Sequence, residues 1–266
     1  MTGVIPHQPD GWRPRITGVP VHRATDEWHT HHATGPTLRK WPAVDATDAV
    51  VLVLHGGRSR SIEPTSARQL AYRRMVPIAS SVHSAVHESG TAVWLLRNRL
   101  RGWNEPARDA LRDAHWALDR VREQHPQALV VLVGHSMGGR AALLCAGTDG
   151  VLAVCALAPW LAPDDPVDQL AGRRVLIAHG DRDRWTSPAR SYEYAVRTRA
   201  VTPSVCRFEL RGAGHPMLRH AAAWTGLVRA FVSGVVGAAP PHPAIQAALA
   251  APIPDGLRRP VPARIW

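Results

Sequence analysis

Residues 129–140, Leu-Val-Val-Leu-Val-Gly-His-Ser-Met-Gly-Gly-Arg, constrain this chain more than any other stretch. Leu129 to Val133 is apolar and largely β-branched, the pattern of a strand buried on both faces. Gly134 to Gly138 reads G-x-S-x-G, and Arg140 to Ala146 is compact, Ala/Leu-rich and helix-favouring. A strand that turns sharply into a helix exposes the Oγ of a serine at the tip. The residues two positions away must be small, because strand and helix nearly collide there. Chance produces such a pentapeptide in roughly one chain in ten of this length, so the weight rests on the strand before it and the helix after it.

The rest of the chain alternates in the same way. Strand-like runs fall at Ala49 to Leu54, Thr91 to Leu96, Val151 to Ala158, Arg174 to Ala178 and Ser204 to Leu210. Helical sequence lies between them. One stretch runs to Glu88, with a break at Pro77 and an end near Gly90. A second has Ala107, Ala110, Leu111, Ala114, Ala117, Leu118 and Val121 on one face, behind Asn104 as N-cap and Pro106 in the first turn. A third follows Pro188, and a closing helix runs from Pro216 to about Val236. This alternation predicts an α/β fold, with a mostly parallel sheet covered by helices on both faces and a site at the carboxyl ends of the strands. The expected organisation is an irregular N-terminal arm (1–47) with a weak edge strand near Thr37 to Trp41, an α/β domain (48–237), and a Pro-rich tail (238–266) that is extended or loosely packed. Only about 15 residues join the strand ending at Ala158 to the next one, near the minimum for a parallel crossover. One short helix would use them up, leaving no or minimal cap.

Composition narrows the class. The 266 residues suit one α/β domain with a large core. A net charge of +11 invites a nucleic-acid reading, but only Lys40 among the 32 basic residues is lysine, and the arginines are spread through every segment. That favours a solvated basic surface and no nucleic-acid partner. No apolar run is long enough for a membrane span, and no secretory signal is visible, so the expectation is a cytoplasmic protein with no membrane partner. Cys145, Cys155 and Cys206 read as buried thiols of a reduced protein. His29 and His31 would share a face only on a strand, and with no second cluster they read as an exposed loop. No metal or cofactor is expected.

Three polar groups fall at the ends of strands, in the order Ser136, Asp183, His215. The first sits in Gly134-His-Ser-Met-Gly138, the second in Gly180-Asp-Arg-Asp183 and the third in Gly214-His215. With His55-Gly56-Gly57 after the first strong strand, these motifs make residues 49–236 resemble the α/β-hydrolase superfamily, whose scaffold imposes that order. The resemblance implies a serine nucleophile, a histidine base that later returns the proton, and a carboxylate that fixes the imidazole tautomer. It also implies an oxyanion hole formed by the backbone N–H groups of Met137 and Gly57, with Arg58 as an alternative to Gly57.

Among 15 histidines, only His215 combines a strand end, a glycine turn and the right order. His55, His135 and His179 read as structural, and His220 as lying inside the last helix. Asp183 is favoured over Asp181, which is better placed to cap its turn; Asp164 and Asp165 follow the preceding strand. Trp103, Trp160, Trp185 and Met217 fall in loops at the same sheet edge and are candidates for the substrate wall, each weighed against simple loop packing. Arg101, Arg182 and Arg184 suggest an anionic substrate only weakly, given the arginine bias. The expected activity is hydrolysis of small carboxylic esters or thioesters. A non-catalytic binding protein on the same fold is the alternative class, and peptidase, lactonase, acyltransferase and C–C hydrolase chemistry share the triad. The partner is a small ester-like molecule, and the oligomeric state is left open.

Overall fold

The computed structural model describes residues 35–262 and Ile265. His29 and His31 lie outside the described residues. Among the described residues, eight strands form a single sheet: β1 (Thr37–Trp41), β2 (Ala49–Leu54), β3 (Thr91–Arg97), β4 (Leu129–His135), β5 (Val151–Leu157), β6 (Arg174–Gly180), β7 (Val205–Leu210) and β8 (Arg259–Pro260). Their order is β1-β3-β2-β4-β5-β6-β7-β8, and every pairing is parallel except that of edge strand β1 with β3.

Alternate strand residues feed two cores, because side chains point to opposite faces with a period of two. Val50, Leu52, Leu54 and Leu132 pack with α3 (Asp109–Gln124), α4 (Met137–Leu144) and α5 (Pro188–Val201). Val51, Val53, Val131 and Val133 pack with α2 (Met75–Val86), α6 (Ala221–Val236) and α7 (Pro243–Ala250). The three cysteines are buried, free thiols, and burial pushes Cys145 and Cys206 up to about 12. Among the described residues no helix is long and apolar enough to cross a membrane, and no three His, Cys, Asp or Glu side chains gather as a metal site.

Four local expectations give way to tertiary structure. The helical break falls at Arg74, between α1 (Leu70–Arg73) and α2, rather than at Pro77. Pro77 is the third residue of α2, where its missing N–H would have had no helical partner anyway. Asn104 does not cap α3. Its Oδ1 accepts the Ser61 N–H and its Nδ2 donates to the Ser61 carbonyl and to Asp109, so it ties two loops together. The crossover from β5 to β6 contains only a 3-10 turn at Asp168–Leu170 instead of a short α-helix, and no cap among the described residues. His220 precedes α6, which begins at Ala221 and not near Pro216.

The C-terminal segment is packed rather than loose. After α7, a 3-10 turn at Asp255–Leu257 leads into β8, which extends the sheet beyond β7. The anchor is Arg207 of β7, only 1 % exposed. Its guanidinium donates to the Leu257 and Pro188 carbonyls, Ser191 Oγ and Glu209, so a charge that would be costly to bury alone is fully engaged.

Candidate active site

Ser136 sits where β4 becomes α4, with φ 55° and ψ −118°, a region that L-residues avoid. Packing holds it there. A Cβ on Gly134 would come within 2.2 Å of the Gly138 carbonyl oxygen, and one on Gly138 within 2.4 Å of the Leu54 carbonyl oxygen. Only glycine at both positions lets strand and helix approach this closely.

The loops after β6 and β7 bring the other two groups in. His215 Nε2 lies 2.9 Å from Ser136 Oγ, and His215 Nδ1 lies 2.8 Å from Asp183 Oδ2. With the carboxylate as acceptor, Nδ1 carries the proton and Nε2 accepts from the serine hydroxyl. The ring lies between His135, at 4.8 Å centroid to centroid, and Trp185, at 5.2 Å. The buried His135 also donates from Nε2 to the His215 carbonyl at 3.1 Å, which holds the loop backbone.

Asp183 is surrounded by donors. The N–H groups of Trp185 and Thr186 reach Oδ1 at 2.8 and 3.0 Å, while Oδ2 accepts from the Thr186 hydroxyl at 2.9 Å as well as from His215. His179, fully buried, approaches the same oxygen with Nε2 at 3.3 Å. Burial alone would raise the carboxyl, but the hydrogen bonds from His179, His215 and the Thr186 N–H, with the charge of His215, hold it well below the usual carboxylate range. Burial lowers His179 and, more strongly, His135, so both stay neutral near pH 7. Thr186 and the neighbouring N–H groups escaped the sequence reading, although Asp183-x-x-Thr186 carries the signal of an Asx-type turn. Asp181 caps the next loop by accepting the Gly212 N–H at 2.7 Å, and Asp165 pairs elsewhere with Arg140.

Gly57 and Met137 come together across the site. A Cβ on Gly57 would fall 2.4 Å from Met137 Cε. The Met137 N–H opens α4 and so has no helical partner, and no described acceptor meets the N–H of Gly57. The Arg58 N–H is already committed to the Arg101 carbonyl at 2.8 Å, which removes Arg58 as the alternative donor.

The four expected wall residues separate. Trp185 is 71 % exposed and lines a cleft with Gly56, Gly57 and Arg58. Trp103 is fully buried and Met217 5 % exposed, so neither forms an open wall. Trp103 and Trp160 instead clasp the Arg140 guanidinium, 4.6 and 4.9 Å from their ring centroids. His55 is also structural: Nδ1–H donates to the Gly56 carbonyl, Nε2 accepts from the Asn98 N–H, and burial lowers the ring to about 4.

Residues 96–175 match the model of the family described as Serine aminopeptidase, S33. Many solved structures share the architecture. Est1E from Butyrivibrio proteoclasticus is 16 % identical, with a TM-score of 0.57 over 76 % of this chain and 94 % of its own. XC6422 from Xanthomonas campestris, described as an α/β serine hydrolase without a lid, is 20 % identical, with a TM-score of 0.55 over 78 % and 91 %. The chain has the α/β-hydrolase fold, and its central third matches a serine-hydrolase family model. The monoacylglycerol lipase of Paleococcus ferrophilus is another neighbour, 16 % identical at a TM-score of 0.55 over 77 % of this chain and 100 % of its own. No curated protein matches the sequence. The likeness therefore extends beyond the motifs to the fold over about three quarters of the chain, while these identities leave the substrate to be argued from the site.

Proposed function

We propose that this α/β-hydrolase cleaves small carboxylic esters or thioesters through an acyl-enzyme. Ser136 Oγ attacks the carbonyl carbon as its proton passes to His215 Nε2. The tetrahedral oxyanion is received by the N–H groups of Gly57 and Met137. When the bond to the leaving alcohol or thiol breaks, His215 returns the proton to it. Water then repeats the sequence on the acyl-serine and releases the acid, while Asp183 holds the imidazole tautomer and stabilises the imidazolium throughout. The observation that carries the reading is the unbroken chain of hydrogen bonds from Ser136 to His215 to Asp183, at 2.9 and 2.8 Å. A non-catalytic binding protein would have no use for that chain beside a strained serine.

The family match raises aminopeptidase chemistry as a second reading. An aminopeptidase must bind a substrate ammonium. The cleft beside Ser136 contains Arg58, Arg74 and Arg101 and no acidic residue in its lining, the wrong sign for that cation. Ester hydrolysis is therefore favoured. The decisive experiment is labelling with a fluorophosphonate, followed by assay on 4-nitrophenyl acetate and a matching thioester. Parent protein should label and turn over, whereas Ser136→Ala should do neither above a small residual rate. Labelling that survives in Ser136→Ala would remove the nucleophile assignment.

A further inference from the structure

The cleft beside Ser136 carries unsatisfied polar groups that the hydrolytic reaction does not use. It has a volume of about 530 Å³ and reaches the site through Gly56 and Gly57; a Cβ on Gly56 would lie 3.2 Å from Ser136 Cβ. Arg74, at the junction of α1 and α2, lines it half-buried. Among the described residues its side chain makes a single, long hydrogen bond, from Nε to the Leu70 carbonyl at 3.4 Å, and no counter-charge offsets its burial. A guanidinium withdrawn from water without a counter-charge is costly. Thr65, also in the lining, is 7 % exposed, and its Oγ1 is buried with no hydrogen-bond partner among the described residues. Arg58 contributes a further exposed cation, while Arg101 is already engaged by Glu63.

An apolar acyl chain would leave Arg74 and Thr65 as they are. A group with several acceptor oxygens and a negative charge would give Arg74 its counter-charge, and the Thr65 hydroxyl, shielded from solvent as it stands, could join only by turning toward the cleft. We propose that the cleft is an anion subsite, and that the preferred substrates are esters bearing a second carboxylate. This rests on the hydrolase reading above and adds a substrate class to it. The carboxylate enters on either the acyl or the alcohol side of the scissile bond, since the cleft opens directly beside the serine.

The test compares matched substrates: 4-nitrophenyl hydrogen adipate against its methyl ester for the acyl side, and 4-acetoxybenzoate against methyl 4-acetoxybenzoate for the alcohol side. At low salt, kcat/KM should favour the acid in one of the pairs by about tenfold or more, with the preference shrinking in 0.5 M NaCl as a screened charge contact must. Arg74→Gln should reduce that ratio several-fold and Thr65→Val less. Arg112→Gln, which removes the same charge from the exposed side of α3, should leave it as in the parent. Free adipate should inhibit competitively, a readout that needs no variant. Equal or poorer use of the acid in both pairs overturns the subsite, as does a ratio that Arg112→Gln lowers as much as Arg74→Gln. Fluorophosphonate labelling and turnover of 4-nitrophenyl acetate require no anion. If they succeed while the ratios are flat, the subsite alone falls; if they fail, the hydrolase reading falls with it.

Discussion

On one side of Ser136 stands Arg140, on the other Arg74, and the two arginines are treated very differently. Arg140, on α4, is 5 % exposed, paired through Nε and Nη2 with Asp165, and lies over two indole rings. Asp165 in turn accepts the Ala162 N–H at 2.8 Å. The charge on that side is thus paired inside the protein. Among the described residues Arg74 has no carboxylate beside it, and the Oγ1 of its neighbour Thr65 has no hydrogen-bond partner. The satisfied side fixes the elbow and the path of the β5–β6 crossover; the unsatisfied side borders open solvent and leaves its polar groups to something that arrives from it. The closed side should therefore govern rate and stability, and the open side the choice of substrate.

The largest expected effect lies at Asp183 itself. Asp183→Asn would present an amide where His215 Nδ1–H needs an acceptor and would favour the wrong tautomer, so kcat should fall by about 10⁴ with little change in folding. Asp181→Asn, which alters only the cap on the Gly212 turn, should cost far less. Steady-state kinetics on one ester decides the matter, and the reverse ranking would move the acid by two residues.

Next comes stability. Asp165→Asn removes one member of a buried ion pair and leaves Arg140 only the more distant Glu105 carboxylate, 3.8 Å from Nη2, which costs up to about 3–5 kcal/mol. At roughly 2–4 °C per kcal/mol for a chain of this size, thermal unfolding should show a clear drop in Tm. Arg74→Gln should leave Tm unchanged or raise it, because it removes a desolvated charge without a partner. Equal losses of Tm in the two variants would erase the contrast between the sides.

These two sides also mark where the sequence is legible. The strand, elbow and helix around Ser136 could be read because the steric demand is local: Gly134 and Gly138 lie two residues from the serine they serve. Asp183 and His215 could be read because each follows its strand directly. Arg140 with Asp165, 25 positions apart, could not, and the same holds for Trp103, whose ring packs against that guanidinium. The C-terminal segment departs from its composition for a related reason. Its prolines suggest a loose chain, but what fixes it is a charged side chain in the middle of β7, Arg207, a residue that strand patterning counts as a fault.

Acid should loosen the fold through its buried neutral histidines, one of which, His55, borders the open cleft. His55 is lowered to about 4 in the folded protein, against an ordinary value near 6.5. A folded-state pKa below the unfolded one means that the unfolded chain binds the extra proton first. The stability associated with the neutral ring is complete above pH ~6.5 and is lost progressively as pH falls toward 4, about 3 kcal/mol in all. His135 and His179 are shifted in the same direction by burial. Asp183 acts later, since its stabilising charge is lost only below the usual carboxylate range. The drop in Tm between pH 7 and pH 4.5 should be smaller in His55→Gln, whose amide can still donate to Gly56 and accept from Asn98 but cannot titrate. An unchanged slope would assign the acid sensitivity to the other two histidines.

The smallest effect concerns the open side and acyl length. The β5–β6 connection has no cap, and the apolar groups at the cleft mouth are exposed, Leu70 at 70 % and Trp185 at 71 %. A methylene fully withdrawn from water contributes about 0.8 kcal/mol, close to fourfold in binding, but only where an apolar wall encloses it. Here an acyl chain beyond a few carbons would lie against exposed side chains and arginines and gain a small part of that. Across 4-nitrophenyl esters from acetyl to dodecanoyl, kcat/KM should peak among the short members, changing by less than about fourfold per methylene on the way, and show no jump when the longer esters form an interface with water. A steady climb through dodecanoyl would require an enclosed apolar tunnel. The open side would then be as closed as the other, and the contrast between Arg74 and Arg140 would lose its meaning for substrate choice.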